Sequence, residues 1–364
     1  MRGFAIEFDS QSQGFSRREF TVPQELSPGE VLVRVTCCTI CGSDLHTFCG
    51  RRTAPRNCVL GHEIIGTIDA WKGPTPEDVE GRKLSVGQRV TWAMAVGCGD
   101  CFFCNQQLSQ KCERLFKYGH QSPTGEVPTG GLSQYCILVP GTPIFGVPES
   151  LSDFVACPAN CATATVSAAL RLISQTHTIE GSSALVVGAG MLGLTAAAQL
   201  SVAGASQILV ADPDLKRLEL GRSFGATECI DSKDVNSLST AIDLVTEGRG
   251  VDIALDFAGV LPAVESALKS ARVGGCVLLA GSVFPMDELR ISPETVVRKM
   301  LTIRGLHSYG LTDLKQALKF LERNQTRFPF HDLVNAIFPL EQAEKAFEVG
   351  RDLRPIRVAI TCKA

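Results

Sequence analysis

Between about residue 160 and residue 305 the chain alternates short apolar runs with helical patterns: ALVVGAG, LTAAAQLSVAG, QILVADPD, LKRLELGRSFGA, VDIALDFAG, VESALKSAR and GCVLLAGSV. Near-continuous apolar strands separated by helices predict an α/β fold with a parallel sheet. Parallel neighbours need a crossover, and helices on both faces supply it. The flanks read differently. Residues 1 to about 150 hold strand patterns such as VLVRVTCC, IIGTIDAW and GQRVTWAM between prolines and glycines, so this half is expected to be mainly β. The tail from about 306 carries two helix patterns, LTDLKQALKFLERN and LEQAEKAFEVG, then a strand, IRVAIT. A chain of 364 residues exceeds what one core usually supports, and two domains are expected.

Composition narrows the class. No apolar run approaches the ~20 residues that span a bilayer, which predicts a soluble protein with no membrane partner. The start, MRGFAIEFDS, has no apolar leader, and fifteen cysteines without one point to a reducing cytoplasm, where thiols fill cores or hold metals. The net charge of -3 argues against nucleic acid as a partner.

The first strand of the alternating region runs into Gly188, Gly190 and Gly193 in GxGxxG order, and a helix pattern follows at once. In such a turn the glycines allow a tight bend, close approach of a pyrophosphate and close packing of helix on strand. The helix N-terminus then presents backbone amides to the phosphates. The next strand ends in Asp212, placed to accept the ribose hydroxyls of a dinucleotide and to repel the 2'-phosphate of NADP. NAD is therefore the expected cofactor, with Lys216 and Arg217 close enough in sequence to soften that repulsion.

Cys98, Cys101, Cys104 and Cys112 are separated by two, two and seven residues. Zinc takes four thiolates tetrahedrally, and short gaps let one loop supply them. A structural zinc is expected there, closed to substrate because all four positions are filled. Upstream, CTICGSDLHTFCG and CVLGHEIIG supply Cys41 and His62, ligand types of a zinc that keeps one position open.

The order of CGSDLH, GHE, a four-cysteine lobe and GxGxxG resembles the zinc-containing medium-chain alcohol and polyol dehydrogenases, over essentially the whole chain. The resemblance implies a doubly wound Rossmann domain for NAD over 161–305. It implies a GroES-like catalytic domain over 1–160 and 306–364, with the zinc lobe at 95–115. It makes Cys41 and His62 ligands of a catalytic zinc, so that two zinc ions bind per chain. The third ligand comes from ACPANCATATV, where Cys161 fits the family pattern and Cys157 is the rival. Glu63 becomes a transient ligand, and Asp44 the partner that orients His62. Ser43 touches the substrate oxygen, and His46 passes the proton to solvent, a task suited to a group with an ordinary pKa near 6.5. Thr165 and Leu192 would pack against the nicotinamide. Gly42 departs from the basic residue many members carry. Arg357 matches a phosphate contact, or is a surface charge on its strand.

These expectations add up to an NAD-dependent alcohol dehydrogenase of homodimeric or homotetrameric form. Within the family, GRRTAPRNCVLGHEIIG, CFFCNQQLSQKCERLFKYGH and PANCATATV resemble the branch associated with phosphonate catabolism. That implies a substrate alcohol bearing a phosphonate or other anionic group. Arg51 and Arg52 after the His46 loop could bind one, as could Lys117, Tyr118 and His120, although Lys117 reads more simply as a solvated charge. The alternatives are a polyol dehydrogenase and a non-catalytic cofactor-binding protein on the same fold.

Overall fold

The computed structural model describes residues 1–121 and 125–362. Contacts divide the chain into two units, one of residues 1–164, 309–325 and 330–364, the other of 165–308 and 326–329. The boundary expected at 160/161 falls four residues later. The helix Ala162–Ser174 therefore begins in the first unit and continues in the second.

The first unit is built on a mainly antiparallel sheet. The strand Val31–Ile40 lies between Glu63–Trp71 on one side and two shorter partners on the other. Tyr135–Leu138 pairs with its first half and Arg357–Thr361 with its second. Arg89–Trp92 and Ile144–Gly146 extend the sheet beyond Glu63–Trp71, and Val334–Pro339 extends it beyond Arg357–Thr361. Thus the C-terminal strand read as IRVAIT closes onto the sheet made by the N-terminal half.

One short helix of this unit carries Ser43, Asp44 and His46. Gly42–Phe48 starts where Val31–Ile40 ends, and its first turn is closed by Asp44, whose Oδ2 accepts the Cys41 N–H at 2.9 Å. An acidic residue also suits the positive end of a helix. The far end is pinned by rings: Phe48 lies 5.4 Å from Phe347 and 6.3 Å from Phe8, centroid to centroid. Aromatic pairs of this kind contribute about 0.5–1.5 kcal/mol each beyond area burial. The helix is consequently fixed at both ends, one by a carboxylate and one by a buried aromatic cluster.

The second unit carries six parallel strands in the spatial order Glu228–Asp231, Gln207–Asp212, Ser183–Val187, Val251–Asp256, Ala271–Leu279 and Thr302–Gly305. Every residue of Ser183–Val187 is buried, as expected for a strand covered on both faces. Chain order reverses on either side of this strand. That makes its carboxyl end the switch point at which doubly wound sheets bind ligands.

Candidate active site and zinc lobe

At the end of Val31–Ile40, Cys41 enters a cluster with His62 and Cys161 in which all three ligand atoms lie within 4.8 Å of one another. Zinc–sulfur bonds of ~2.3 Å at the tetrahedral angle place two sulfurs ~3.8 Å apart. The Cys41 and Cys161 sulfurs stand 3.9 Å apart. Contact with Cys161 is the largest influence holding the Cys41 thiol well below its ordinary range, against burial and helped by Arg357 and His62. The Cys161 thiol is pushed up by the same contact. The donor set, the spacing and a thiol ready to ionise all fit zinc.

His62 is buried, and its Nδ1 faces Asp44 Oδ1 at 3.2 Å. Burial opposes a charged ring here, but the Asp44 carboxylate outweighs it and raises the metal-free imidazole to about 10. Asp44 holds the proton on Nδ1, which leaves Nε2 as the metal-facing nitrogen. Ser43 Oγ lies 3.5 Å from that Nε2, and so borders the position a substrate oxygen would take. His46 lies on the same helix, half-buried. Burial lowers its pKa, and Arg51 lowers it further.

The remaining candidates are placed apart from the three ligands. Cys157 is fully buried and its thiol faces the backbone oxygens of Glu63, at 3.1 Å, and Cys37, at 3.5 Å. Glu63 is also outside the cluster. Its Oε2 accepts the Thr39 hydroxyl at 2.6 Å and its Oε1 accepts from Arg357 at 3.0 Å. Burial nevertheless raises its pKa to about 7, with Arg357 opposing. Arg357 is 5% exposed, so it is not a surface charge on its strand. Tyr118 points into the core, where its hydroxyl bonds Thr142 Oγ1 at 2.6 Å and accepts the Val139 N–H at 2.8 Å.

Two supporting residues escaped sequence reasoning. The Asn160 amide donates to the carbonyls of His62, at 3.0 Å, and Trp92, at 3.3 Å, anchoring the turn that delivers Cys161. Tyr309 in turn donates to the Asn160 carbonyl. The His120 ring lies over His62 with centroids 5.0 Å apart, and Asp44, His62 and His120 form a second close group.

The four-cysteine lobe has the same metal-ready spacing. Cys98 and Cys104 sulfurs stand 4.0 Å apart, and Cys101 and Cys112 sulfurs 3.8 Å apart. Backbone N–H groups of Cys98 and Arg114 point at Cys112 Sγ at 3.2 and 3.3 Å. The backbone N–H groups of Cys104 and Glu113 pull the Cys101 thiol down to about 6.

In the second unit, Gly188 takes a φ of +105° at the end of its strand, and Gly190 caps the helix Met191–Val202. A methyl group on Gly193 would stand 1.7 Å from the Gly188 carbonyl oxygen. Only glycine allows the helix so close to the strand. Asp212 is 6% exposed and braces the turn: its Oδ2 accepts the Ala189 N–H at 2.6 Å, its Oδ1 the Asp214 N–H at 2.8 Å. Arg217 reaches over the same turn, with Nη1 3.8 Å from where a Cβ on Gly190 would be. Thr165 is buried in the helix Ala162–Ser174, whereas Leu192 is partly buried in Met191–Val202.

Residues 27–149 match the alcohol dehydrogenase GroES-like domain, and residues 192–323 match the zinc-binding dehydrogenase family. The chain belongs to the zinc-binding, medium-chain dehydrogenases. Zinc and a nicotinamide dinucleotide are accordingly its cofactors, and the mainly β unit and the doubly wound unit are the two folds expected. L-threonine 3-dehydrogenase of Yersinia pestis is 26% identical over 347 residues, 93% of this chain and 94% of that one. Among solved structures, an alcohol dehydrogenase of Thermotoga maritima is 26% identical, with a TM-score of 0.93 over 99% of both chains. One from Thermus sp. ATN1 is 27% identical, with a TM-score of 0.82 over 98% of this chain and 99% of that one. Among the described residues, no helix of this dehydrogenase is long and apolar enough to cross a membrane.

Proposed function

We propose that this dehydrogenase oxidises an alcohol with NAD, using zinc held by Cys41, His62 and Cys161, and carries a second, structural zinc on Cys98, Cys101, Cys104 and Cys112. The observation that carries the reading is the convergence of two thiols 3.9 Å apart with an imidazole whose Nε2 is left free by Asp44. Three protein ligands leave a fourth position for a substrate, whereas the lobe's four thiols leave none. Zinc held by these three residues would supply Lewis acidity to an alcohol oxygen, and a bound nicotinamide dinucleotide would supply the hydride acceptor.

The chain's own groups do the rest. Ser43, beside His62 Nε2, would hydrogen-bond the substrate hydroxyl and relay its proton, giving up its own as it accepts one. His46, whose pKa burial and Arg51 keep low, accepts a proton and releases it readily to solvent near neutral pH. Glu63 is held by Arg357 and Thr39, and a move toward the metal would require breaking both contacts. Asp212 and the amides after Gly190 hold the dinucleotide, and Asp212 favours NAD over NADP.

We further read the substrate as an alcohol bearing a phosphonate or other anionic group, and the protein as a cytoplasmic homodimer or homotetramer, on the strength of the family resemblance. The Yersinia pestis relative gives a second substrate, L-threonine, through the likeness of its whole length. A steady-state panel of simple alcohols, polyols, L-threonine and hydroxyalkylphosphonates, each with NAD and with NADP, tests these readings. Alcohol-dependent NADH formation is expected, with a higher kcat/KM for NAD. No turnover of any substrate would favour a non-catalytic binding protein, and a higher kcat/KM with NADP would reverse the cofactor choice.

A further inference from the structure

The first unit pairs its buried and partly buried arginines Arg18, Arg89 and Arg357 with carboxylates. Arg89 meets Asp153 at 2.6 Å, Arg18 meets Glu7 at 2.5 Å and Arg357 meets Glu63 at 3.0 Å. This is the expected state, since a charge withdrawn from water without a partner is costly. Arg52 and Lys117 break the rule. Both are partly buried, and among the described residues neither makes an ion pair or a side-chain hydrogen bond.

They also stand beside the candidate active site. Arg52 lies in the turn after the helix that carries Ser43, Asp44 and His46. Lys117 ends the short strand Phe116–Lys117, opposite Ala95, and its carbonyl accepts the N–H of His120 at 3.2 Å. The His120 ring lies on His62. Burial and then the Arg52 charge depress the Lys117 ammonium, and the other groups acting on it are Cys161, Cys41 and Asp44. Two cations thus lie near one another and near the three candidate zinc ligands, and the nearby carboxylate, Asp44, is already paired with His62 and the Cys41 N–H.

We propose that Arg52 and Lys117 form an anion subsite that grips a phosphonate or carboxylate substituent of the alcohol whose hydroxyl is presented to Cys41, His62 and Cys161. The inference rests on the proposed dehydrogenase activity and its anionic substrate, and names the residues that bind the anion. A guanidinium can hold two oxygens of such a group side by side, while the lysine contributes a mobile point charge. An incoming anion would relieve the repulsion between the two cations. L-threonine offers this pair a carboxylate, but its ammonium on the same carbon brings a like charge toward the two cations. Arg51, by contrast, is exposed, and its backbone N–H bonds the His46 carbonyl at 2.9 Å, so its side chain is not required for the grip.

The test uses the zinc-loaded enzyme with NAD and four probes: 2-hydroxyethylphosphonate, its neutral dimethyl ester, 3-hydroxypropanoate and L-threonine. Expected is a kcat/KM for an anionic alcohol above that for the ester, with the phosphonate-to-carboxylate ratio assigning the anion. Lys117→Met and Arg52→Met should each lower the anion's kcat/KM on the order of tenfold through KM, as loss of a charge-assisted hydrogen bond does. They should leave the ester unchanged, and Lys117→Arg should recover part of the loss. Equal losses on ester and anion, or none on the anion, would overturn the subsite. Calorimetric binding of methylphosphonate separates this failure from failure of the dehydrogenase reading. Binding that Lys117→Met weakens, in a protein that oxidises no alcohol, would keep the subsite and sink the dehydrogenase. Turnover with binding that ignores Lys117→Met would do the reverse.

Discussion

Asp44 bonds two things at once: its Oδ1 faces His62 Nδ1 at 3.2 Å and its Oδ2 accepts the Cys41 N–H at 2.9 Å. A single buried carboxylate therefore orients one proposed zinc ligand and fixes the backbone of another. Asp44→Asn keeps the shape but loses the charge. It should weaken zinc at the three-ligand site by about 10–100-fold, the usual cost of removing such a support. Chelator competition followed by metal analysis measures this, and wild-type retention of zinc would count against the assigned role.

The lobe should behave differently. Cys101→Ser removes one of four thiols, with sulfur separations of 3.8 and 4.0 Å, that we read as the ligands of a structural zinc. Loss of about 2 kcal/mol lowers Tm by roughly 4–8 °C in units of this size, and a structural zinc contributes more than that. Calorimetry should show a Tm drop at least this large, with KM for NAD changing less than twofold or so. An unaltered Tm would mean the lobe does not bear on stability.

Gly193 makes the cofactor turn testable without touching a charge. With a methyl 1.7 Å from the Gly188 oxygen, Gly193→Ala must push the helix Met191–Val202 off its strand. Overpacking of this kind costs about 1–3 kcal/mol. The variant should therefore lose stability and show a raised KM for NAD, read by denaturant unfolding and steady-state kinetics.

How much of this was legible depended on sequence distance. GxGxxG and the four-cysteine spacing are local, since a turn or loop imposes each within a few residues, and both could be read directly. Cys161 against Cys157 could not be decided from spacing. The choice depends on a turn anchored by Asn160 to carbonyls 98 and 68 residues away. Arg357 finds Glu63 across 294 residues, a separation at which no periodicity carries information. Tyr118 looked like a pocket residue because it neighbours Lys117, but it lies just past the strand Phe116–Lys117 and is buried against Trp92 and Phe116, with its hydroxyl on Thr142. The Cys41–Asp44 closure of the helix was readable as an acidic residue in a first turn and was missed.

One surface network gives a pH signature. Contacts from Lys315, at 2.6 Å, and Lys319, at 3.3 Å, hold the Glu80 carboxyl down to about 2, below its ordinary value near 4.5. A depressed carboxyl stabilises the fold above its unfolded pKa and loses that contribution as pH falls through the folded value. Glu80→Gln should therefore lower Tm at pH 7, and the gap from wild type should narrow below pH 4.5 and close near pH 2. A gap independent of pH would mean that charge is not its source.

The central claim is that Cys41, His62 and Cys161 hold a zinc on which alcohol oxidation depends. Metal analysis of the purified protein and of Cys41→Ser, paired with alcohol-dependent NADH formation, addresses it most directly. Two zinc ions per chain are expected in the wild type and one in the variant, with turnover lost together with the missing ion. A variant that keeps wild-type turnover with a single zinc per chain would contradict the account.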